Sequence, residues 1–153
     1  MAREYLYRAK RKDNGEWLVG NLDKIVYEYP NKTIEQYYIN ETHFGFQDDD
    51  GFDPCYQCGF NEPVDENTVC EYTGLKDKNG TKIFEGDIVK FVSVRFNKSP
   101  YLVDFDEGTF GYRIDEKNVI PFSDSEYGVF EEEIEVIGNK FDNDFEVQDE
   151  QTN

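Results

Sequence analysis

The sequence has little basic charge, a single histidine, a single methionine and three cysteines, and it contains no long apolar run. Its uncharged stretches end well before the roughly 20 apolar residues that a membrane-spanning helix needs, so no membrane span is expected. The first residues alternate aromatic and charged side chains and lack the apolar core of a secretory signal, which predicts a cytoplasmic protein. An odd cysteine count in such a chain argues against a disulfide framework.

Acidic residues dominate the charge: 34 Asp and Glu face 16 Lys and Arg, for a formal net charge of -18. Residues 33–75 hold ten acidic and no basic residues, and residues 118–153 hold eleven acidic residues with Lys140 alone. The field of such a chain repels nucleic acid and attracts basic proteins, so direct nucleic-acid binding is not expected. Solubility alone is the alternative explanation.

The chain is rich in residues that favour strands, with aromatics at 16%. Runs of Tyr, Phe, Val and Ile recur between turn signals, a pattern typical of antiparallel hairpins. The turn signals are Asp13-Asn14-Gly15, Pro30-Asn31, Asp77-Lys78-Asn79-Gly80 and Asp106-Glu107-Gly108. These features predict a mainly β protein with little helix, apart from a short turn or helix in 123–133, and with a last strand at 133–140.

The domain organisation follows from the same signals. Residues 1–141 are predicted to form a single β unit, and residues 142–153 an acidic tail that frays. Gly, Asp, Asn and Pro are frequent between 45 and 67, which indicates an irregular loop. Two hairpin-based halves, about 1–44 and 68–141, joined by that loop, remain an alternative.

Two segments of the chain resemble each other. YRAKRKDNGEWLVG at 7–20 and YTGLKDKNGTKIFEG at 72–86 both run from a Tyr through an Asn-Gly turn to a short apolar run closed by Gly. Chance similarity is the alternative, since Asn-Gly turns are common hairpin solutions.

Three blocks of the sequence resemble the YopX family: REYLYRAKRKDNGEWLVG at 3–20, YTGLKDKNGTKIFEGDIVKF at 72–91 and IEVIGNKFDN at 134–143. The resemblance implies a mainly β fold built on one or more small SH3-like barrels. It also implies a phage or prophage accessory protein that acts in a bacterial host, without an established activity. No catalytic or binding residue is carried over from it.

A Cys55-x-x-Cys58-Gly59 motif has the spacing of a zinc knuckle. His43 and Cys70 are the other candidate ligands, at irregular spacing. The alternatives are two reduced loop thiols and, for Cys70, a buried strand position. The sequence therefore leaves a small zinc-binding interaction or regulatory module open as a second function.

Catalytic motifs are absent from the sequence. His43 is the only histidine, and no nucleophile elbow or phosphate-binding loop occurs. Asp48-Asp49-Asp50-Gly51 fails the EF-hand pattern because Phe46 and Gln57 occupy ligand positions. We therefore expect a protein that is not an enzyme and binds no cofactor, with an uncharacterised enzyme as the third alternative.

Acidic clusters next to aromatic residues are the candidate binding surface. Carboxylates beside aromatic rings combine charge pairing with cation–π contact, which suits the Arg and Lys side chains of a basic partner. The aromatic neighbours are Phe44, Phe46, Phe52, Tyr127 and Phe130. A solvated face beside ordinary core aromatics is the alternative for each cluster. The sequence therefore predicts a non-catalytic acidic module for a basic, nucleic-acid-handling host or phage protein, in the manner of a DNA mimic that inhibits host defence, and leaves a homo-oligomer open. The predicted contact residues are Asp48, Asp49, Asp50, Asp53, Glu131, Glu132 and Glu133.

Overall fold

The computed structural model describes residues 4–40, 61–93 and 100–143, and the statements below concern these residues. They form almost entirely β structure. The strands, β1 to β11 in chain order, are Tyr7–Lys10, Trp17–Tyr29, Lys32–Asn40, Asn61–Val64, Cys70–Lys76, Lys82–Phe84, Asp87–Phe91, Tyr101–Asp106, Thr109–Arg113, Val119–Pro121 and Ile134–Asn139. Two short 3-10 helices span Glu66–Thr68 and Glu131–Glu133.

The strands pair into two antiparallel sheets, of order β4-β3-β2-β1-β5-β6 and β10-β9-β8-β7-β11. The mainly β prediction with almost no helix is therefore confirmed. Both strand orders are open, so strand pairing does not establish the SH3-like barrel that the resemblance implies. By its internal packing the chain divides into two compact units, residues 1–71 and 72–153.

The first unit begins with the hairpin that the Asp13-Asn14-Gly15 turn predicts. Its register places Tyr7 opposite Gly20 and Lys10 opposite Trp17. Gly15 has a φ of 72°, which glycine adopts without steric cost. Alternation along the strands puts one face inward, and the core consists of Ala9, Leu18, Ile39 and Val64.

Two features of this unit differ from the sequence prediction. β2 runs unbroken for 13 residues from Trp17 to Tyr29, whereas the sequence pattern predicts one strand at 17–19 and a second at 24–29. β4 lies inside the 45–67 range predicted as an irregular loop. Its sequence, Asn-Glu-Pro-Val, contains one strand-favouring residue. Pro63 is tolerated because β4 is the end strand of the sheet order, and its carbonyl accepts the N–H of Lys12 at 3.1 Å.

The second unit has an aromatic core. Tyr112 is buried beside Phe91 and Tyr101, with ring centroids 4.9 and 5.1 Å from its own. The rest of the core is aliphatic or aromatic side chains from the same unit: Ile83, Val89, Val103, Phe122, Val129 and Ile134. Such offset and edge-to-face ring pairs add to the free energy gained by burial.

Asp77 fixes the turn between β5 and β6. Its side chain is only 5% exposed, and its carboxylate accepts the N–H groups of Asn79 and Thr81 at 2.9 Å and of Val136 in β11 at 3.0 Å. Burial by itself raises the pKa of Asp77, but these N–H groups favour the ionised form more strongly and hold the pKa below its ordinary value. One carboxylate thereby ties the turn to the last strand.

Candidate binding surface

The chain between β10 and β11 displays carboxylates and aromatic rings on a fixed backbone. We call Asp124–Glu132 the acidic-aromatic segment. Phe122 and Val129 are buried in the core, and the N–H of Val129 donates to the carbonyl of Phe122 at 3.1 Å. The hydroxyl of Tyr112 donates to the carbonyl of Tyr127 at 2.8 Å. The segment is therefore anchored to the core by Val129 within it and by Phe122 just before it.

Asp124 shapes the first half of the segment. Its carboxylate accepts the N–H groups of Glu126 at 2.9 Å and Tyr127 at 2.7 Å, and these bonds lower its pKa. Glycine is required at position 128 because the backbone packs tightly there: a Cβ atom at this position would lie 2.2 Å from the carbonyl oxygen of Asp124. Asp124 therefore stays ionised and holds the turn.

The predicted contact residues Glu131 and Glu133 also have local structural roles. Glu131 accepts the N–H of Lys76 at 3.0 Å, and Glu133 accepts the N–H of Phe130 at 3.1 Å. Glu132, between them in the 3-10 helix, has an exposed side chain. Glu131 and Glu133 are thus held in place by backbone N–H groups, and Glu132 lies exposed between them.

Two aromatic side chains of the segment are turned towards solvent. Phe130 is 72% exposed and Tyr127 is 53% exposed. A hydrogen bond with the carboxylate of Glu126 raises the pKa of Tyr127. A guanidinium placed over either ring would also lie near carboxylates, and this combination is what cation–π and ion-pair recognition of arginine requires.

Basic residues are few in the stretch of sequence that contains this segment. Residues 100–143 contain twelve Asp and Glu but only Arg113, Lys117 and Lys140 as basic residues. The guanidinium of Arg113 is bound to Asp104 at 2.6 Å and also donates to the carbonyl of Glu116 at 2.9 Å. The stretch itself therefore supplies few cations for its carboxylates, and Glu135 is paired from outside it, with Lys78 at 2.9 Å and Lys90 at 3.1 Å.

Most other predicted site residues lie outside the described part of the chain: Asp48, Asp49, Asp50, Asp53, Cys55, Cys58 and His43. Cys70 is described, at the start of β5; it is buried, and its thiol donates to the carbonyl of Thr68 at 3.3 Å. Within the described ranges no three His, Cys, Asp or Glu residues come together as a metal site. The zinc site stays a prediction.

Sequence reasoning missed a cleft in the first unit. It has a volume of about 230 Å³, and its walls include Lys12, Gln36, Tyr37 and Glu66. The Lys12 ammonium donates to the side-chain oxygen of Gln36 at 2.9 Å. No sequence signal indicated this cleft, because its walls come from a turn, a strand edge and a 3-10 helix that meet only in the fold.

None of the helices in the described ranges has the length and apolar character needed to cross a membrane.

Comparison with known proteins gives a family and a structural likeness. No curated protein matches the sequence. Among solved structures, the crystal structure of protein EF1440 from Enterococcus faecalis is similar, with 22% sequence identity over 90% of this chain and 94% of that chain, at a TM-score of 0.43. The model of the family described as YopX protein matches residues 6–145, which is nearly the whole sequence. This chain belongs to the YopX family.

Proposed function

We propose that this chain is a non-catalytic binding module that presents the acidic-aromatic segment to a basic protein. The observation that supports the proposal is the exposure of Phe130 and Tyr127, 72% and 53%, among carboxylates that the fold holds in place. Large exposed aromatic side chains are a feature of binding sites. Their position next to carboxylates favours arginine and lysine as the groups bound.

The partner that fits this chemistry is a basic, nucleic-acid-handling protein of the phage or its bacterial host, in the cytoplasm. Such a protein carries a surface of Arg and Lys that normally contacts phosphates. A chain of net charge -18 would be steered to that surface and would compete with the nucleic acid there, as a DNA mimic does. Inhibition of a host defence protein is one consequence of such competition.

Affinity capture from a bacterial lysate tests the proposal. The bait is the full chain, and the matched variant is Tyr127→Ala with Phe130→Ala, which leaves the net charge unchanged. We expect basic proteins to be captured, to be released as salt rises, and to be captured less by the variant.

The control bait for this capture is Tyr5→Ala, which removes an exposed aromatic ring from the other unit. It should capture the same proteins as the unaltered chain. Capture of proteins that are not basic, or equal capture by the Tyr127/Phe130 variant, would refute the proposal.

A further inference from the structure

The far part of the β2–β3 hairpin is a two-stranded arm, residues 23–38. Its register pairs Asp23 with Tyr38, Tyr27 with Ile34 and Tyr29 with Lys32. The residues of β2 from 23 to 29 are all exposed, as are those of β3 from 32 to 35. The arm therefore has two faces that both reach solvent.

One face of the arm is apolar and aromatic. Directly opposed residues of antiparallel strands share a face, and residues alternate between faces along a strand. Contacts agree with this assignment: the hydroxyls of Tyr27 and Tyr38 lie 3.1 Å apart, and the ammonium of Lys32 lies 5.4 Å from the Tyr29 ring centre. The face, called the arm face below, consists of Asp23, Ile25, Tyr27, Tyr29, Lys32, Ile34, Gln36 and Tyr38.

The opposite face is the one that leads to the core. Towards the base of the hairpin it carries Leu22 and Ile39, which pack with the core of the first unit. Further out it carries the exposed Val26 between polar residues, with Lys24 and Glu35 paired at 2.8 Å. The arm face is thus the outer face of the sheet, which ordinarily is the polar face of an antiparallel sheet that packs on one side only.

Charge on the arm face is arranged in a self-complementary way. Asp23 and Lys32 are the only charged residues that β2 and β3 place on it, one near the base of the arm and the other at its tip. Between them lie Ile25, Tyr27 and Ile34. The two strands thus contribute one charge of each sign, and the Lys12 ammonium, bonded to Gln36 at 2.9 Å, adds a positive charge at the face, although the whole chain carries a net charge of -18.

We infer that the arm face binds the arm face of a second copy of this chain in an antiparallel, two-fold arrangement. That arrangement places the tip of each arm over the base of the other, so Lys32 of one copy meets Asp23 of the second copy. If the two arm faces met with both tips at the same end, Lys32 would face Lys32 and Asp23 would face Asp23. A largely apolar face whose one acidic residue is Asp23 also lets two strongly acidic copies meet without strong local repulsion.

The area of the arm face limits the affinity that we expect for the dimer. Seven residues of a strand span about 23 Å, so the contact is smaller than the roughly 800 Å² per partner of a standard stable interface. We therefore expect a weak dimer, with a dissociation constant in the micromolar range. This inference does not rest on the proposed function.

Reciprocal charge exchange tests the inference by analytical ultracentrifugation of the full chain from about 5 to about 300 µM. The unaltered chain should form dimers as concentration rises. Asp23→Lys alone and Lys32→Asp alone should each weaken the dimer at least about tenfold, because each brings like charges together. An equimolar mixture of the two variants should form dimers again, since both contacts then join opposite charges.

Glu28→Lys is the matched control, because it makes the same charge change as Asp23→Lys on the opposite face of the arm. It should dimerise like the unaltered chain, and circular dichroism should be the same for all variants. A chain that stays monomeric over the whole range, single variants that dimerise normally, or a mixture that fails to recover would each overturn the inference.

Discussion

Asp77 illustrates how a single buried carboxylate becomes stabilising in this fold. Removing a carboxylate from water is costly unless hydrogen bonds compensate it. Here three backbone N–H groups, at 2.9 to 3.0 Å, compensate the charge and are themselves satisfied by it. The sequence shows Asp77 as an ordinary turn residue, since nothing in its neighbours indicates the bond from Val136, 59 positions away.

Asp77→Asn should therefore destabilise the second unit. The amide has one acceptor oxygen where the carboxylate has two, so its Nδ2 group would face an N–H group. We expect a loss of about 2–3 kcal/mol in the free energy of unfolding at neutral pH, measured by urea denaturation. Asp106→Asn, at an exposed hairpin position, is the control and should change stability by less than about 0.5 kcal/mol.

The pH dependence of stability, compared between the unaltered chain and Asp77→Asn, tests the direction of the pKa shift. The pKa of Asp77 is lower in the folded state than its unfolded value of about 3.9. Its contribution is therefore present above about pH 4 and is lost as pH falls through the folded-state pKa. The stability difference between the unaltered chain and Asp77→Asn should be constant near neutrality and shrink in acid. A difference that persists unchanged in acid, or an effect no larger than that of Asp106→Asn, would contradict this role.

At the level of elements, the turn signals were the most informative part of the sequence. Asp13-Asn14-Gly15, Pro30-Asn31 and Asp106-Glu107-Gly108 each join two paired strands, as predicted. These turns are local, so a few residues with special backbone preferences determine them. β4 was not predictable in this way, because its pairing with β3 depends on an available sheet edge and not on its own four residues.

The similar hairpins at 7–20 and 72–86 share an Asn-Gly pair in the turn but differ in loop length. In the first, the N–H of Arg11 donates to the carbonyl of Glu16, whereas in the second the N–H of Asp77 donates to the carbonyl of Thr81. The first loop thus has one residue more. The common Asn-Gly pair explains the likeness, and the buried carboxylate is particular to the second hairpin.

The β8–β9 turn offers a test at this scale. Glu107 and Gly108 have φ values of 48° and 82°, the left-handed geometry of a two-residue hairpin loop. Glutamate is poorly suited to that conformation, whereas asparagine adopts it more readily. Glu107→Asn should raise the free energy of unfolding by about 0.5–1 kcal/mol, measured by thermal and urea denaturation.

Glu107→Gln separates this effect from the loss of charge, since it removes the same charge without the conformational preference. It should raise stability by clearly less than Glu107→Asn. Equal effects of the two substitutions would mean that relief of charge repulsion, and not backbone geometry, controls the stability of this hairpin.

For the whole molecule, the sequence indicated which residue types form the candidate binding surface better than it indicated which of those side chains are exposed. The excess of acidic residues and the aromatic neighbours Tyr127 and Phe130 were visible in the sequence. The exposure of these two rings was not visible, because it depends on the fold burying Phe122 and Val129 instead of them. The structural roles of Glu131 and Glu133 also depend on contacts that only the fold creates.

Nuclear magnetic resonance titration of the isotope-labelled full chain with an arginine-rich peptide tests the proposed function most directly. A peptide with aspartate in place of arginine is the control, and the Tyr127→Ala/Phe130→Ala variant is titrated in parallel. We expect chemical-shift changes concentrated on Asp124–Glu132, weaker at high salt and much reduced in the variant. Shift changes spread evenly over all acidic residues, or equal binding by the variant, would contradict a specific acidic-aromatic binding surface.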